Sequence, residues 1–145
     1  MFEKILFPTD FSDVAAKALQ YVKRLKDAGS KEVIVLHVID QSHLELLSSY
    51  STIQDFIDIE AEIEKRSSEE IALIVNELKQ HGFSVKERLE KGVPLRVVLK
   101  VAEEENPSVI VIGSHGKSNL EEMLLGSVSE KVVRKAKHPV LVIKR

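Results

Sequence analysis

Apolar residues in this chain form five short runs, separated by longer stretches in which apolar residues recur with helical spacing. Runs rich in β-branched residues are typical of buried strands, and a period of two is typical of a strand with one wet face. The third run has that period, because Phe83, Val85 and Leu89 alternate with polar residues. The five predicted strands cover residues 4–8, 33–38, 83–89, 109–112 and 140–143.

The stretches between the runs predict four helices whose ends carry local signals. Ser12 is a favourable N-cap for the first helix, and Gly29 follows its last apolar position. Pro94 suits the first turn of the third helix, which must end before Pro107. The fourth helical stretch ends at Ala136.

The second helix is the longest, at about 25 residues by its apolar spacing. It follows a polar segment, 40–52, which predicts an irregular loop, and its expected C-terminal cap is His81-Gly82. Its charged residues, like the three glutamates at 103–105, are interpreted as solvated. Its apolar stripe consists of Ile53, Phe56, Ile57, Ile63, Ile71, Ile74 and Leu78.

Strands that alternate with helices along the whole chain predict an α/β fold. Helical crossovers between apolar strands favour a parallel sheet covered by helices on both faces. In such open sheets, ligands bind outside the carboxyl ends of the strands, where the winding reverses. We therefore expect one domain over residues 1–145 with its functional site at that edge.

Charge and cysteine content narrow the possible partners. The chain has 145 residues, a formal net charge of −2 and no cysteine. A near-neutral charge gives no general attraction to nucleic acid or membranes, and the missing cysteines exclude disulfides and thiolate metal sites. The N-terminal residues lack a signal-like apolar region, and no run approaches the ~18 residues of a membrane span. We expect a cytoplasmic protein without a nucleic-acid or membrane partner.

Three segments carry the candidate chemistry, and each follows a strand or begins a helix. They are residues 8–12 after the first strand, 113–119 after the fourth, and 126–129 at the start of the last helix. Gly113 and Gly116 let backbone N–H groups approach a ligand closely. Ser127 and Ser129 add hydroxyls beside the exposed N–H groups of a helix start, which suits phosphate, and Lys117 adds positive charge.

Other interpretations of these segments stay open. Gly113 and Gly116 by themselves also suit an ordinary strand-to-helix turn. The sequence Gly116-Lys117-Ser118 is similar to the end of a Walker A loop, but that motif requires glycine where this chain has Val111. The first loop contains no glycine, which argues against the usual dinucleotide-binding fingerprint.

The titratable residues near these loops do not form a catalytic set. Asp10 either holds a ribose hydroxyl or a metal, or caps the first helix. His115 either touches phosphate or is an exposed loop residue, and we keep it as a candidate binding residue. His37 is expected to be a hydrogen-bonded sheet residue. No nucleophile–base–acid set is recognisable, and no role is assigned to His43, His81 and His138.

With these segments identified, the chain resembles a known family. The spacing Gly113-x2-Gly116-x9-Gly126-Ser127 is similar to the nucleotide-binding signature of the ATP-binding class of universal stress proteins. Residues 5–12, 36–40 and 139–143 are similar to the family's first, second and last strands with their adjoining loops. The resemblance covers essentially the whole chain and is weakest over residues 41–80.

The resemblance implies a fold, a ligand and its site. It implies a five-stranded parallel sheet in the order 3-2-1-4-5, with ATP bound at its carboxyl edge. Magnesium is expected to be held mainly by the phosphates. The implied adenosine pocket is lined by Pro8, Thr9, Asp10 and Val38. The ribose and phosphates would follow Ile112, Gly113 and Gly116, and the phosphates would be held by Gly126, Ser127, Val128 and Ser129.

The resemblance also implies a homodimer, and the last strand favours the same conclusion. In the implied strand order, residues 140–143 form an edge of uninterrupted apolar residues, which invites pairing with another chain. We expect an ATP-binding regulatory module that acts through its dimer or an unknown partner protein. The alternatives are a slow ATP hydrolase or nucleotidyl-transfer enzyme assisted by Asp10 or His115, and an interaction domain whose loop is vestigial.

Overall fold

The computed structural model describes residues 1–49, 52–115 and 126–145. None of the helices in these three ranges is long and apolar enough to cross a membrane. A short 3-10 helix, Leu25–Ala28, follows the first α-helix and ends at Gly29. The elements in chain order are β1 (Lys4–Pro8), α1 (Asp13–Arg24), β2 (Glu32–Asp40), α2 (Gln41–Ser48), α3 (Ile53–Gln80), β3 (Ser84–Gly92), α4 (Pro94–Glu105), β4 (Val109–Gly113), α5 (Ser127–Lys135) and β5 (Val140–Ile143).

The five strands form one parallel sheet in the order β3-β2-β1-β4-β5, which confirms the expected topology. The central strand β1 pairs along its whole length with β2, from Lys4 opposite Glu32 to Pro8 opposite Leu36. On its other side it pairs with β4. The winding therefore reverses between β1 and β4, and the carboxyl ends of these two strands lie side by side.

The alternation of side chains along β1 divides the hydrophobic core into two layers. Ile5 and Phe7 point to one face, where they pack with the buried sides of α1 and α3. Leu6 points to the other face, where it packs with residues of α4 and α5. All three side chains are fully buried, and each contributes roughly 1.5–3 kcal/mol by leaving water. Burial on both faces explains why the central strands are apolar without interruption.

The helices differ in how their N-termini are capped. Ser12, Asp40 and Thr52 each accept a hydrogen bond from a backbone N–H of the helix that they begin. Val93 and Gly126, which begin α4 and α5, make no such side-chain bond. The first N–H groups of α4 and α5 are therefore left without a side-chain cap.

The prediction of an irregular loop over residues 40–52 is wrong, because α2 occupies most of it. The Asp40 carboxylate accepts a hydrogen bond from the Ser42 N–H at 3.0 Å and so caps the helix. Leu44 is buried and anchors it against the rest of the domain. One buried side chain in a short polar helix leaves little periodic signal in the sequence.

Helix α3 exists as predicted, but its apolar stripe is not buried throughout. Ile71 and Leu78 are fully buried, whereas Ile53 is 82% and Ile57 51% exposed. The helix has 28 residues, which corresponds to about 42 Å. The nine-residue strands β2 and β3 span only about 30 Å, so the helix is longer than the sheet that it covers.

Several glutamates interpreted as solvated form ion pairs instead. Glu105 is only 9% exposed at its side chain and lies 2.6 Å from the Lys86 ammonium and 3.5 Å from that of Lys4. The hydrogen bond from Lys86, aided by the charge of Lys4, lowers the pKa of Glu105. Hydrogen bonds from Lys91 to Glu60 and Glu64 raise the pKa of that lysine. These pairs connect β1, β3, α3 and α4, elements that are distant in sequence.

Candidate functional site

Local hydrogen bonds shape the loop that leaves β1. The Thr9 N–H donates to the Leu36 carbonyl oxygen at 2.8 Å, which extends the β1–β2 pairing by one residue. The Thr9 hydroxyl accepts from the Phe11 N–H at 3.2 Å, and the Asp10 carboxylate accepts from the Ser12 N–H at 3.0 Å. Asp10 thus organises the turn before α1, while Ser12 supplies the cap itself.

Phe11 and His37 hold this loop in a conformation of elevated energy. Phe11 has a φ of 64°, a left-handed backbone conformation that costs a residue with a Cβ roughly 1–2 kcal/mol. Its ring stacks on the His37 imidazole with 4.2 Å between the centroids. His37 Nδ1 lies 2.7 Å from the Thr9 carbonyl oxygen and must be the donor, because the carbonyl only accepts. His37 is a hydrogen-bonded sheet residue, as expected, and it supports the candidate site.

Gly113 at the end of β4 is required by packing against α1. A Cβ at this position would lie 2.9 Å from Val14 Cγ1 and 3.4 Å from the Val14 carbonyl carbon. From the sequence, Gly113 is expected to allow a ligand to approach closely. The spacing of glycines does not distinguish that role from close packing against a helix. Ser114 is fully buried, and its hydroxyl oxygen lies 2.7 Å from His115 Nδ1. Gly116 and Lys117 lie outside the described residues.

The start of α5 is bonded directly to the end of β4. The Gly126 N–H donates to the Ser114 carbonyl oxygen, and the Ser129 hydroxyl donates to the Gly113 carbonyl oxygen, both at 2.5 Å. Two of the three candidate segments are therefore in contact, through residues 113–114 and 126–129. Ser129 is buried, and its hydroxyl connects these segments.

A groove of about 240 Å³ lies at the carboxyl edge of the sheet, between α4 and α5. Of the predicted site residues, Ser127 and Val128 line it. Val38 packs against the same core cluster as Val128. The lining residues that sequence reasoning missed are Asp40, Ser42, Val93, Pro94, Leu95 and Lys131.

For two of the missed lining residues, the sequence contains a feature that places them near the site. Lys131 lies four residues after Ser127, a spacing that places both side chains on one face of a helix. Asp40 is the last residue of β2, two positions after Val38, and so lies at the carboxyl edge. The connection between β3 and α4 had no such signal, because its approach to α5 depends on how both helices pack on the sheet.

The remaining predicted residues lie at the same edge without lining the groove. Pro8 and Thr9 end β1 and are buried, Ile112 is buried in β4, and Asp10 and His115 are partly exposed. Within the described ranges, no group of three or more histidine, aspartate or glutamate side chains is placed to hold a metal ion. Among the described residues, the polar groups at this edge include backbone N–H groups, hydroxyls, Asp10, Asp40, His115 and Lys131.

Comparison with known proteins identifies the family. Residues 1–144 match the family model described as the universal stress protein family. The chain belongs to that family. Universal stress protein MJ0577 of Methanocaldococcus jannaschii is 41% identical, and the alignment covers 100% of this chain and 96% of that protein. Universal stress protein YxiE of Bacillus subtilis is 33% identical, with coverage of 99% and 100%.

Solved structures of universal stress proteins share the fold. The structure of the MJ0577 protein superimposes with a TM-score of 0.91 over 100% of this chain and 97% of that one, at 41% identity. A family protein of Arabidopsis thaliana, solved with AMP bound, has a TM-score of 0.70 at 19% identity, covering 98% and 91%. The second likeness extends the shared sheet and helix arrangement to a distant relative.

Proposed function

We propose that this universal stress protein binds ATP at the carboxyl edge of its sheet and acts as a regulatory module. The observation that carries the proposal is the direct bonding of Gly126 to Ser114 and of Ser129 to Gly113. These bonds set the uncapped start of α5 beside the loop that leaves β4. A helix start offers several N–H groups and a positive dipole end, a favourable environment for phosphate.

The groove suits a nucleotide in size and in chemistry. Its volume of about 240 Å³ is slightly below the range for pockets that enclose a whole drug-sized ligand. It therefore fits part of a nucleotide, while the rest extends along the sheet edge. Val93, Leu95 and Val128 offer apolar surface, and Ser127 offers a hydroxyl. The AMP complex of the Arabidopsis relative supports a nucleotide as the ligand class.

The phosphate-binding role falls on the backbone N–H groups of residues 127–129 together with the Ser127 hydroxyl, because the Gly126 N–H is already bonded to Ser114. Gly126 has φ −70° and ψ 165°, so its role depends on its small size and not on an unusual backbone conformation. Adenosine would lie toward Pro8, Thr9, Asp10 and Val38. We propose that Mg²⁺ accompanies ATP on its phosphate oxygens.

Regulation is favoured over efficient catalysis because the described residues form no recognisable nucleophile–base–acid set around the two candidate bases, Asp10 and His115. One carboxylate oxygen of Asp10 accepts from Ser12, and His115 Nδ1 is paired with the Ser114 hydroxyl. A general base needs its lone pair directed at the attacking water. We assign neither residue a catalytic role, and slow hydrolysis is the alternative outcome of the test below.

We further propose that the module is a cytoplasmic homodimer joined along β5. This strand is an edge of the sheet, where Leu141 is 36% exposed, and Val133 of the adjacent helix α5 is 44% exposed. An apolar edge next to the nucleotide site would let the bound state influence the interface and, through it, a partner protein.

Calorimetric titration with Mg-ATP tests the proposal. We expect saturable binding by the native protein and its loss in G126V, because a valine side chain at the N-cap would occupy the space of the phosphates. The backbone angles of Gly126 suit valine, but valine is a poorer N-cap than glycine, so the melting temperature of G126V is measured to show that the variant is folded. G29N is the control, since Asn tolerates the left-handed conformation of Gly29 and lies outside the site. No binding at millimolar ATP would contradict the proposal.

Phosphate release measured on the same samples separates the alternatives. If the protein is a regulatory module, the native protein should bind ATP and release phosphate no faster than the H115A variant does. A rate that falls in H115A or in D10N would favour the slow hydrolase.

A further inference from the structure

Lys131 is distinguished from its charged neighbours on α5. Arg134 is paired with Glu130 at 2.7 Å, and Lys137, just after the helix, is 3.5 Å from Glu103. Lys131 makes no ion pair with any residue of the three described ranges. Its side chain is exposed, yet it forms part of the groove wall. Lys135 also makes no ion pair within these ranges, so Lys131 differs from it by lining the groove.

The direction of the side chain brings this charge toward the start of α5. Side chains of an α-helix lean toward its N-terminus, over the preceding turn. Lys131 is one turn after Ser127, so its ammonium can extend back toward the N–H groups at which the proposed phosphates bind. Both residues line the same groove.

Asp40 is the opposite charge in this groove, and it limits where an anion can lie. Its carboxylate accepts from the Ser42 N–H and lines the wall formed by the end of β2. Repulsion from this carboxylate disfavours phosphate at that wall, while Lys131 attracts phosphate to the α5 wall. The groove is thus electrostatically polarised between β2 and α5.

We propose that Lys131 determines how strongly the site distinguishes nucleotides by the number of their phosphates. This inference rests on the proposed nucleotide site and adds a specificity-determining residue to it. The ammonium contacts the phosphate chain as a mobile point charge, and its contribution grows with the negative charge of the ligand. ATP gains most from it, AMP less, and adenosine nothing.

Calorimetric affinities of the native protein and three variants for ATP, ADP, AMP and adenosine test this inference. K131Q removes the charge and keeps a long, helix-compatible side chain. We expect ATP to bind about tenfold more weakly to K131Q, with a smaller loss for AMP and none for adenosine. K131R should restore most of the preference. K135Q is the matched control, because Lys135 is one turn further along α5 and lines a separate small cavity near residues 136–138.

Salt dependence provides a second measurement. Screening weakens an exposed charge–phosphate contact, so ATP affinity of the native protein should fall with ionic strength more steeply than that of K131Q. K135Q should follow the native curve.

The outcomes separate this inference from the proposed function. Unchanged ATP affinity in K131Q, or an equal loss for all ligands including adenosine, would overturn the role of Lys131 and leave the nucleotide site intact. Absence of nucleotide binding by the native protein would overturn both.

Discussion

The two edges of the sheet are built from opposite kinds of residue. Strand β3 has nine residues, and its three cations form ion pairs with glutamates of α3 and α4. Arg88 alone contacts Glu90, Glu104 and Glu105 at 2.7–3.3 Å. Strand β5 has four residues, all apolar, and Leu141 among them is exposed.

This difference indicates which edge can accept another chain. Charged side chains along an edge disfavour further strand pairing, and apolar ones permit it. The hydrogen bonds and attractive charges around Arg88 raise its pKa, so the network on β3 stays charged at any physiological pH. Strand β5 is the apolar edge of the sheet, and β3 is the edge that carries ion pairs. The arrangement favours one interface per chain.

The largest effect is expected from a charge at the apolar edge. L141D should convert the proposed dimer to a monomer, because an unpaired carboxylate in the interface costs about 2–5 kcal/mol. Sedimentation or light scattering measures the change in mass. E87Q, an equally simple change at an exposed position of β3, should leave the mass unchanged. A dimer that persists in L141D would place the interface elsewhere.

Next in size is the effect of filling the space at the end of β4. G113V should destabilise the fold by about 3 kcal/mol, because its side chain meets Val14 at overlapping distance. Chemical denaturation monitored by circular dichroism gives the value. G113A should cost less, and a combined G113A and V14A variant should recover part of the loss. No recovery would mean that Val14 is not the obstacle.

A moderate effect is expected from removing the charge of Glu105 in the ion-pair network. E105Q should lower stability at neutral pH by about 1 kcal/mol, since it weakens the bonds to Lys86 and Lys4. The folded-state pKa of Glu105 is below its unfolded value, so its contribution is complete above the unfolded pKa and is lost as pH falls through the folded one.

Stability measured from pH 7 downward should therefore fall less steeply in E105Q than in the native protein. Parallel curves would contradict the lowered pKa. E103Q serves as the control, because Glu103 is 67% exposed in its pair with Lys137.

The smallest effect is expected from the exposed pairs between β3 and α3. K91A removes contacts to Glu60 and Glu64, and solvent screening should limit the loss to about 0.5 kcal/mol. Added salt should reduce the difference further. A loss of stability as large as that of E105Q would show that exposed and buried charges contribute equally to the stability of the β3 edge.

Much of the fold follows from patterns within short segments. The apolar run of β1, the Ser12 cap and the helix-starting Pro94 are local features, and the sequence predicts each of them. The α/β class also follows from the order of strands and helices. The strand order came from the family resemblance, because periodicity specifies which face is buried and not which strands are neighbours.

The sequence identifies segments of the candidate site, but it does not identify the contacts between them. Gly113 and Gly126-Ser127 were identified from their spacing, whereas the bond from Ser129 to Gly113 spans 16 positions and has no local signature. The groove lining by Lys131 likewise depends on how α4 and α5 pack.

The sequence by itself determined the five strands, four of the helices, the Ser12 cap and the segments that could bind a polyanion, because those properties depend on neighbours a few residues apart. Only the tertiary structure decided that Gly113 accommodates α1, that the Glu105 side chain lies among three cations, and that Lys131 lines the groove without an ion pair to the described residues. Such pairings join residues far apart along the chain. They depend on the packing of whole helices against the sheet, which no short stretch of sequence encodes.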